Sequence, residues 1–125
     1  DEAAAMRLGV YCPKEGLSVK EVYDFHVEVH GAHIMETIEE VATPGLRRYV
    51  VGRVADVELD TKPLFTNYVP MWWDDLDAMN LYLEELKTRK LPDGSFQSGP
   101  QGELGIRSEW LFTTFIKDKV VYKKQ

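Results

Sequence analysis

The stretch Ser18–Val41, SVKEVYDFHVEVHGAHIMETIEEV, predicts one amphipathic helix that carries all three histidines of the chain. Ser18 followed by Glu21 is a capping box, in which hydroxyl and carboxylate satisfy orphan N–H groups of the first turn. Pro44-Gly45 closes the segment, because proline cannot continue a helix. At about 100° per residue, Val19, Val22, Tyr23, Val29, Ile34, Thr37 and Val41 gather on one face, opposite Lys20, Asp24, Glu28 and Glu39. His26, His30 and His33 fall within roughly 60° of one another near the centre of the apolar face. Three imidazoles aimed at the core demand a reason.

Outward from this helix the pattern changes to strands. Arg7–Cys12 (RLGVYC) precedes it and Leu46–Val54 (LRRYVVGRV) follows, both β-branched and aromatic in character. A polar connection, Asp56–Pro63, leads to a third strand, Leu64–Trp73, in which Pro70 predicts an edge position or a bulge. Asp74 is the expected N-cap of a second helix, with Leu76, Met79, Leu83 and Leu86 at helical spacing and its end near Lys87. Lys90–Arg107 is rich in Gly, Pro, Ser and Gln without periodicity, and Trp110–Tyr122 reads as the last strand. The expected fold is therefore α+β, a β-α-β-β-α-β ferredoxin-like arrangement with a four-stranded antiparallel sheet. Two helices cover one face of such a sheet. The strands are apolar on both faces, so a homodimer through the sheet faces is expected, since a bare apolar sheet invites aggregation.

A chain of 125 residues with 44% hydrophobic and 29% charged residues fits a single globular domain, taken as 6–125. Asp1–Ala5, ahead of Met6, is expected to be an expression remnant outside the fold. A net charge of −6 speaks against nucleic acid and anionic membrane as partners, because phosphate recognition needs clustered Lys and Arg. One cysteine, Cys12, allows no internal disulfide and no thiolate cluster. No apolar run approaches the ~20 residues of a membrane span, and no signal peptide is expected. A cytoplasmic protein is expected.

Phe25-His26-Val27-Glu28-Val29-His30, then Pro44-Gly45-Leu46-Arg47-Arg48-Tyr49-Val50, resembles the EthD family of dimeric α+β barrel proteins. Phe65–Met79, FTNYVPMWWDDLDAM, is similar to that family's third strand and second helix. Gly31-Ala32-His33 departs from the family's small-residue-then-proline step. The resemblance covers most of Met6–Leu86. It implies a dimeric barrel, places the family's helix histidine on His30, and points to dehydratases, polyketide-tailoring cyclases, muconolactone-type isomerases or cofactor-free oxygenases.

Read on their own, the histidines suit proton transfer, because a neutral imidazole accepts or donates a proton near neutral pH. His30 is the leading candidate, with His26 and His33 beside it. The plainer account makes each a core histidine satisfied by a tyrosine hydroxyl or a backbone carbonyl. A metal is a third reading, since His26/His30 and His30/His33 have ligand-pair spacing. His26 and His33 lie about 10.5 Å apart along the axis at 1.5 Å per residue, too far to share one ion. No third ligand has a recognisable spacing, and no metal is expected.

Tyr68 or Asn67 is expected to stabilise an enolate oxygen, although a mid-strand amide can equally bond across the sheet. Tyr11, Tyr49, Trp72, Trp73 and Phe25 are expected to line the substrate cleft, with packing as the plainer role of each tryptophan. Trp72 and Trp73 cannot share one cleft, because adjacent strand residues point oppositely. Phe96 is the expected plug of a loop that closes the cleft or merely decorates the surface. Arg47, Arg48 and Arg107 are the cations expected near an anionic substrate group, unless they form surface ion pairs. There is no dinucleotide fingerprint, P-loop, nucleophile elbow or cysteine pair. The expectation is an enzyme needing no cofactor, a dehydratase or cyclase-type lyase acting on a hydrophobic, aromatic or polyketide-like molecule. Isomerase, cofactor-free oxygenase and haem or small-ligand binder are the alternatives.

Overall fold

The computed structural model describes residues 3–55 and 63–117. Strand β1 (Ala5–Pro13) leads into α1 (Val19–Phe25), a π-helical turn (His26–His30) and α2 (Gly31–Val41). Strands β2 (Leu46–Tyr49), β3 (Gly52–Arg53) and β4 (Asn67–Trp73) precede α3 (Leu76–Leu86) and β5 (Ser108–Ile116). The sheet is antiparallel throughout, in the order β2–β4–β1–β5, with β3 also pairing β4. This is an α+β fold with an open antiparallel sheet, compatible with the ferredoxin-like arrangement.

The expected helix over 18–41 is present, interrupted by the π turn. Its capping box forms as read: the Ser18 hydroxyl accepts from the Glu21 N–H at 3.0 Å, and the Glu21 carboxylate accepts from the Ser18 N–H at 3.3 Å. The second helix is capped by Asp75 rather than Asp74. Its Oδ1 accepts from the N–H groups of Asp77 and Ala78, the two donors within its reach.

Pro70 lies in a central strand, not at an edge, and β4 runs past it with β1 on one side. The cost falls on the other neighbour. Pro70 has no N–H to give, so the expected strand 46–54 splits there into β2 and β3, while the Val50 N–H still donates to the Pro70 carbonyl at 3.0 Å. Asp1–Ala5 does not all lie outside the fold: Ala5 opens β1, the Ala4 N–H donates to the Trp73 carbonyl, and Ala3 is buried. The polar connection at 56–62 and the end of the expected last strand beyond 117 lie outside the described residues.

Strand alternation sorts the sheet into two faces. Arg7, Gly9 and Tyr11 of β1 share a face with their register partners Met71, Val69 and Asn67 of β4, and with Trp73. The helices pack on this face, where Tyr11, Val69, Met71 and Trp73 form the core with Val22, Ile34, Ile38 and Tyr82. Each fully buried large apolar side chain contributes about 1.5–3 kcal/mol. Gly9 matters because the Trp110 indole lies directly over it; a Cβ there would overlap the ring. The other face presents Leu8, Val10, Tyr68, Pro70, Trp72 and Phe112, with no described helix over it. No helix among the described residues is long and apolar enough to cross a membrane.

Candidate active site

The π turn is the local event that builds the site. The Gly31 N–H reaches back five residues to the His26 carbonyl, and a Cβ on Gly31 would stand only 2.9 Å from that oxygen. A side chain here would crowd the wide turn, so glycine permits it. The buried helix positions Val22, His26, His30, Ile34 and Ile38 follow a strict four-residue stride. A plain α-helix drifts about 40° per such step, which would carry the stripe off the core. The extra residue of the π turn takes up part of that drift. His26 and His30 thereby face the sheet together, rings 5.2 Å apart and edge to face.

His26 is held between two tyrosines. The Tyr11 hydroxyl lies 2.6 Å from Nδ1 and the Tyr49 hydroxyl 2.8 Å from Nε2. Tyr11 is fully buried and its hydroxyl has this one partner among the described residues, so satisfying its proton makes it the donor to Nδ1. Nε2–H then donates to the Tyr49 oxygen, which leaves the Tyr49 proton free to point elsewhere. Burial, with a smaller contribution from His30, pushes the His26 imidazole down to about 3, so it stays neutral. Burial likewise raises Tyr11 and Tyr49 above the ordinary tyrosine range. His26 is thus the tyrosine-satisfied core histidine of the plainer account, and a weak base.

His30 and His33 do something different. His30 Nδ1 lies 2.9 Å and His33 Nδ1 2.7 Å from the same oxygen, Oε1 of Glu103. Burial works to raise Glu103, but the hydrogen bonds and charge of the two imidazoles outweigh it and hold the carboxyl below the usual glutamate range. An ionised carboxylate accepts only, so both Nδ1 atoms are donors. His30 Nε2 is left with its lone pair and has no hydrogen-bond partner among the described residues. A carboxylate fixing one imidazole nitrogen while the other stays open is the arrangement of an oriented general base.

A cavity of about 130 Å³ lies between helices, sheet and the 97–107 segment, with His26, His30, Tyr49, Tyr82, Leu104 and Trp110 on its wall. The loop expected to close the cleft does form part of that wall. Gln97 Nε2 donates to Thr37 Oγ1 at 2.9 Å, Arg107 Nη1 donates to the Glu103 carbonyl at 2.6 Å, and Ser108 Oγ donates to the Leu104 carbonyl at 2.7 Å. The plug is Leu104, buried, and not Phe96, which is 42% exposed with Lys90 over its ring.

Of the other candidates, Tyr11 and Tyr49 stand in the His26 chain, and Trp110 stacks on Tyr11 at 4.4 Å. Trp73 packs against Tyr82 in the core, off the cavity. Asn67 is buried beside Tyr11 in register with it, taking a hydrogen bond from Thr66 at 2.7 Å, and does not reach the cavity. Tyr68 and Trp72 project to the opposite face by strand alternation, Tyr68 against Gly52 and Trp72 beneath Arg48. Phe25 carries the Arg107 guanidinium at 4.0 Å. The arginines expected near a substrate are engaged elsewhere: Arg47 pairs with Asp74, Arg48 covers Trp72, and Arg107 bonds Glu103 and Phe25.

Sequence reasoning missed Glu103 and Arg7. Glu103 stands alone among glycines and uncharged residues in GPQGELGI, an isolated carboxylate that is itself a signal. Arg7 shares strand parity with Gly9 and Tyr11, so alternation places it inward. Among the described residues no group of His, Cys, Asp and Glu is arranged to hold a metal ion. No known protein family's sequence model matches the chain, and no curated protein matches it in sequence.

Proposed function

We propose that the chain is a small enzyme of the lyase class, a dehydratase or cyclase that removes a proton next to a carbonyl. The observation that carries this reading is His30, its Nδ1 fixed by the buried Glu103 carboxylate and its ring on the wall of a ring-sized cavity. In the proposed step Nε2 takes the carbon-bound proton and the C–H electron pair moves into an enolate. Glu103 balances the imidazolium that forms. The Tyr49 proton, freed by the His26 chain, donates to the enolate oxygen in the role first expected of Tyr68 or Asn67. For dehydration, the leaving hydroxide of the β-carbon then takes the proton from His30 and departs as water.

The EthD-like sequence pattern supports proton-transfer chemistry on His30, where the resemblance places the family's helix histidine, with isomerisation as the second choice after a lyase reaction. It also supports a homodimer closed through the helix-free sheet face. The cavity is close in size to the ~150 Å³ void that accommodates benzene, which suits one ring of a substrate and not a haem macrocycle.

Deuterium exchange tests the proton step without knowledge of the natural substrate. In D2O, NMR should show washout of α-protons from at least one of a set of cyclic 1,3-diketones and aryl ketones. His30→Gln should slow this roughly 100-fold or more, the scale of a general base. Washout no faster than in buffer, or unchanged in the variant, would sink the proposal.

A further inference from the structure

Arg7 lies on the cavity wall with no ion pair to any described residue. Among the described residues its Nε is buried without a hydrogen-bond partner, and its Nη1 meets the Met71 sulfur at 4.0 Å. Ser98, across on the loop, also lines the cavity with a buried hydroxyl that lacks a partner. Two further buried groups, the Asn67 amide and the Trp73 indole N–H, are unpartnered, but neither lines the cavity. The two unsatisfied groups that belong to residues of the wall are both able to donate a hydrogen bond.

Arg7 is half-buried, and a guanidinium N–H held away from water without a partner is costly, a cost that an acceptor on a bound ligand would relieve. The other polar groups of the wall supply no anion. His26 is neutral, Tyr49 and Tyr82 keep their protons, and Glu103 turns its carboxylate to His30 and His33. We infer that the cavity takes a monoanionic, ring-sized organic acid whose carboxylate is held by Arg7 and Ser98, with the ring between Tyr49, Leu104 and Trp110. The planar fork of arginine matches a carboxylate, and one cation balances one negative charge. A phosphate would bring more charge than the wall can answer. This inference rests on the cavity being the substrate site of the proposed enzyme and names the substrate's class.

Calorimetric titration of the full chain with benzoate, and with benzamide as its uncharged counterpart, tests it. Benzoate should bind saturably and at least about tenfold tighter than benzamide, the scale of one charge-assisted hydrogen bond lost. Arg7→Gln should remove that preference, Arg7→Lys should restore only part of it, and Ser98→Ala should weaken benzoate several-fold. Equal binding of benzoate and benzamide, no binding of either, or a preference that survives in Arg7→Gln would overturn the inference. So would inorganic phosphate competing as well as benzoate. If Arg7→Gln does not fold, the Lys variant, the benzamide comparison and phosphate competition still decide. Benzoate binding that persists in His30→Gln, with no α-proton washout in wild type, would retire the proton-transfer reading alone. Washout that depends on His30 without a benzoate preference would retire only the anion site.

Discussion

His26 sets the acid tolerance of the fold. In an unfolded chain its imidazole titrates near 6.5; in the fold, burial first and His30 second push it down to about 3. The unfolded state therefore gains a proton that the folded state refuses. Stability is full above about 6.5 and falls with pH from there towards 3, by at most about 1.4 kcal/mol per pH unit. Glu103 adds a second, lower limit of the same sign. Its carboxyl is held below the usual range, so its contribution is lost as pH falls past about 4.3. Urea unfolding at pH 7, 6 and 5 should show falling stability in the wild type and a flatter trend in His26→Gln. Identical slopes would remove His26 from the account. Glu103 should matter differently at neutral pH. Glu103→Gln keeps a hydrogen-bond acceptor but loses the charge opposite an imidazolium, so α-proton washout should fall roughly 10–100-fold in a folded protein. An unchanged rate would make Glu103 a structural tie and nothing more.

At the scale of elements, the π turn separates what folds the helix from what places its histidines. Deleting Val27, an exposed residue of the turn, should let His26–His30 relax into plain α-helix. Far-UV circular dichroism should stay native-like while washout disappears; collapse of the helical signal would show that the turn is needed for folding. Ser18→Ala, by contrast, should cost about 1 kcal/mol of stability, lowering Tm by a few degrees with activity intact. The contrast also marks what the sequence made legible. A capping box, a Pro-Gly stop and strand alternation are local signals, and they located the main helices and strands with shifted ends. Pro70 was misjudged because its effect fell on the neighbouring strand rather than its own. The π turn was legible only in the four-residue stride from Val22 to Ile38, which a 100° wheel smears into a broad face. His30 was found from its helix; its partner Glu103 stands 73 residues away in a loop without periodicity.

For the whole molecule, the two sheet faces differ in what they lack. The inner face is covered by helices over β1 and β4, while Trp72 and Phe112 on the outer face remain in part open, Phe112 at 47%. Light scattering at micromolar concentration should give the mass of a dimer, and Phe112→Glu should shift it to that of one chain. A wild-type monomer would refute the proposed sheet-to-sheet assembly. The 97–107 segment joins two further roles. Ser98, Leu104 and Gly105 wall the cavity, and Glu103 between them holds His30. Gln97→Ala, which removes the tie to Thr37, should therefore raise KM and lower kcat together; a change in KM alone would show the roles to be separable. One strip of chain both walls the cavity and carries the carboxylate. Because wall and carboxylate belong to one strip, any opening of that wall would carry Glu103 away from His30. In the proposed enzyme that coupling would act as an interlock, with the proton acceptor aligned only while the wall stands against it.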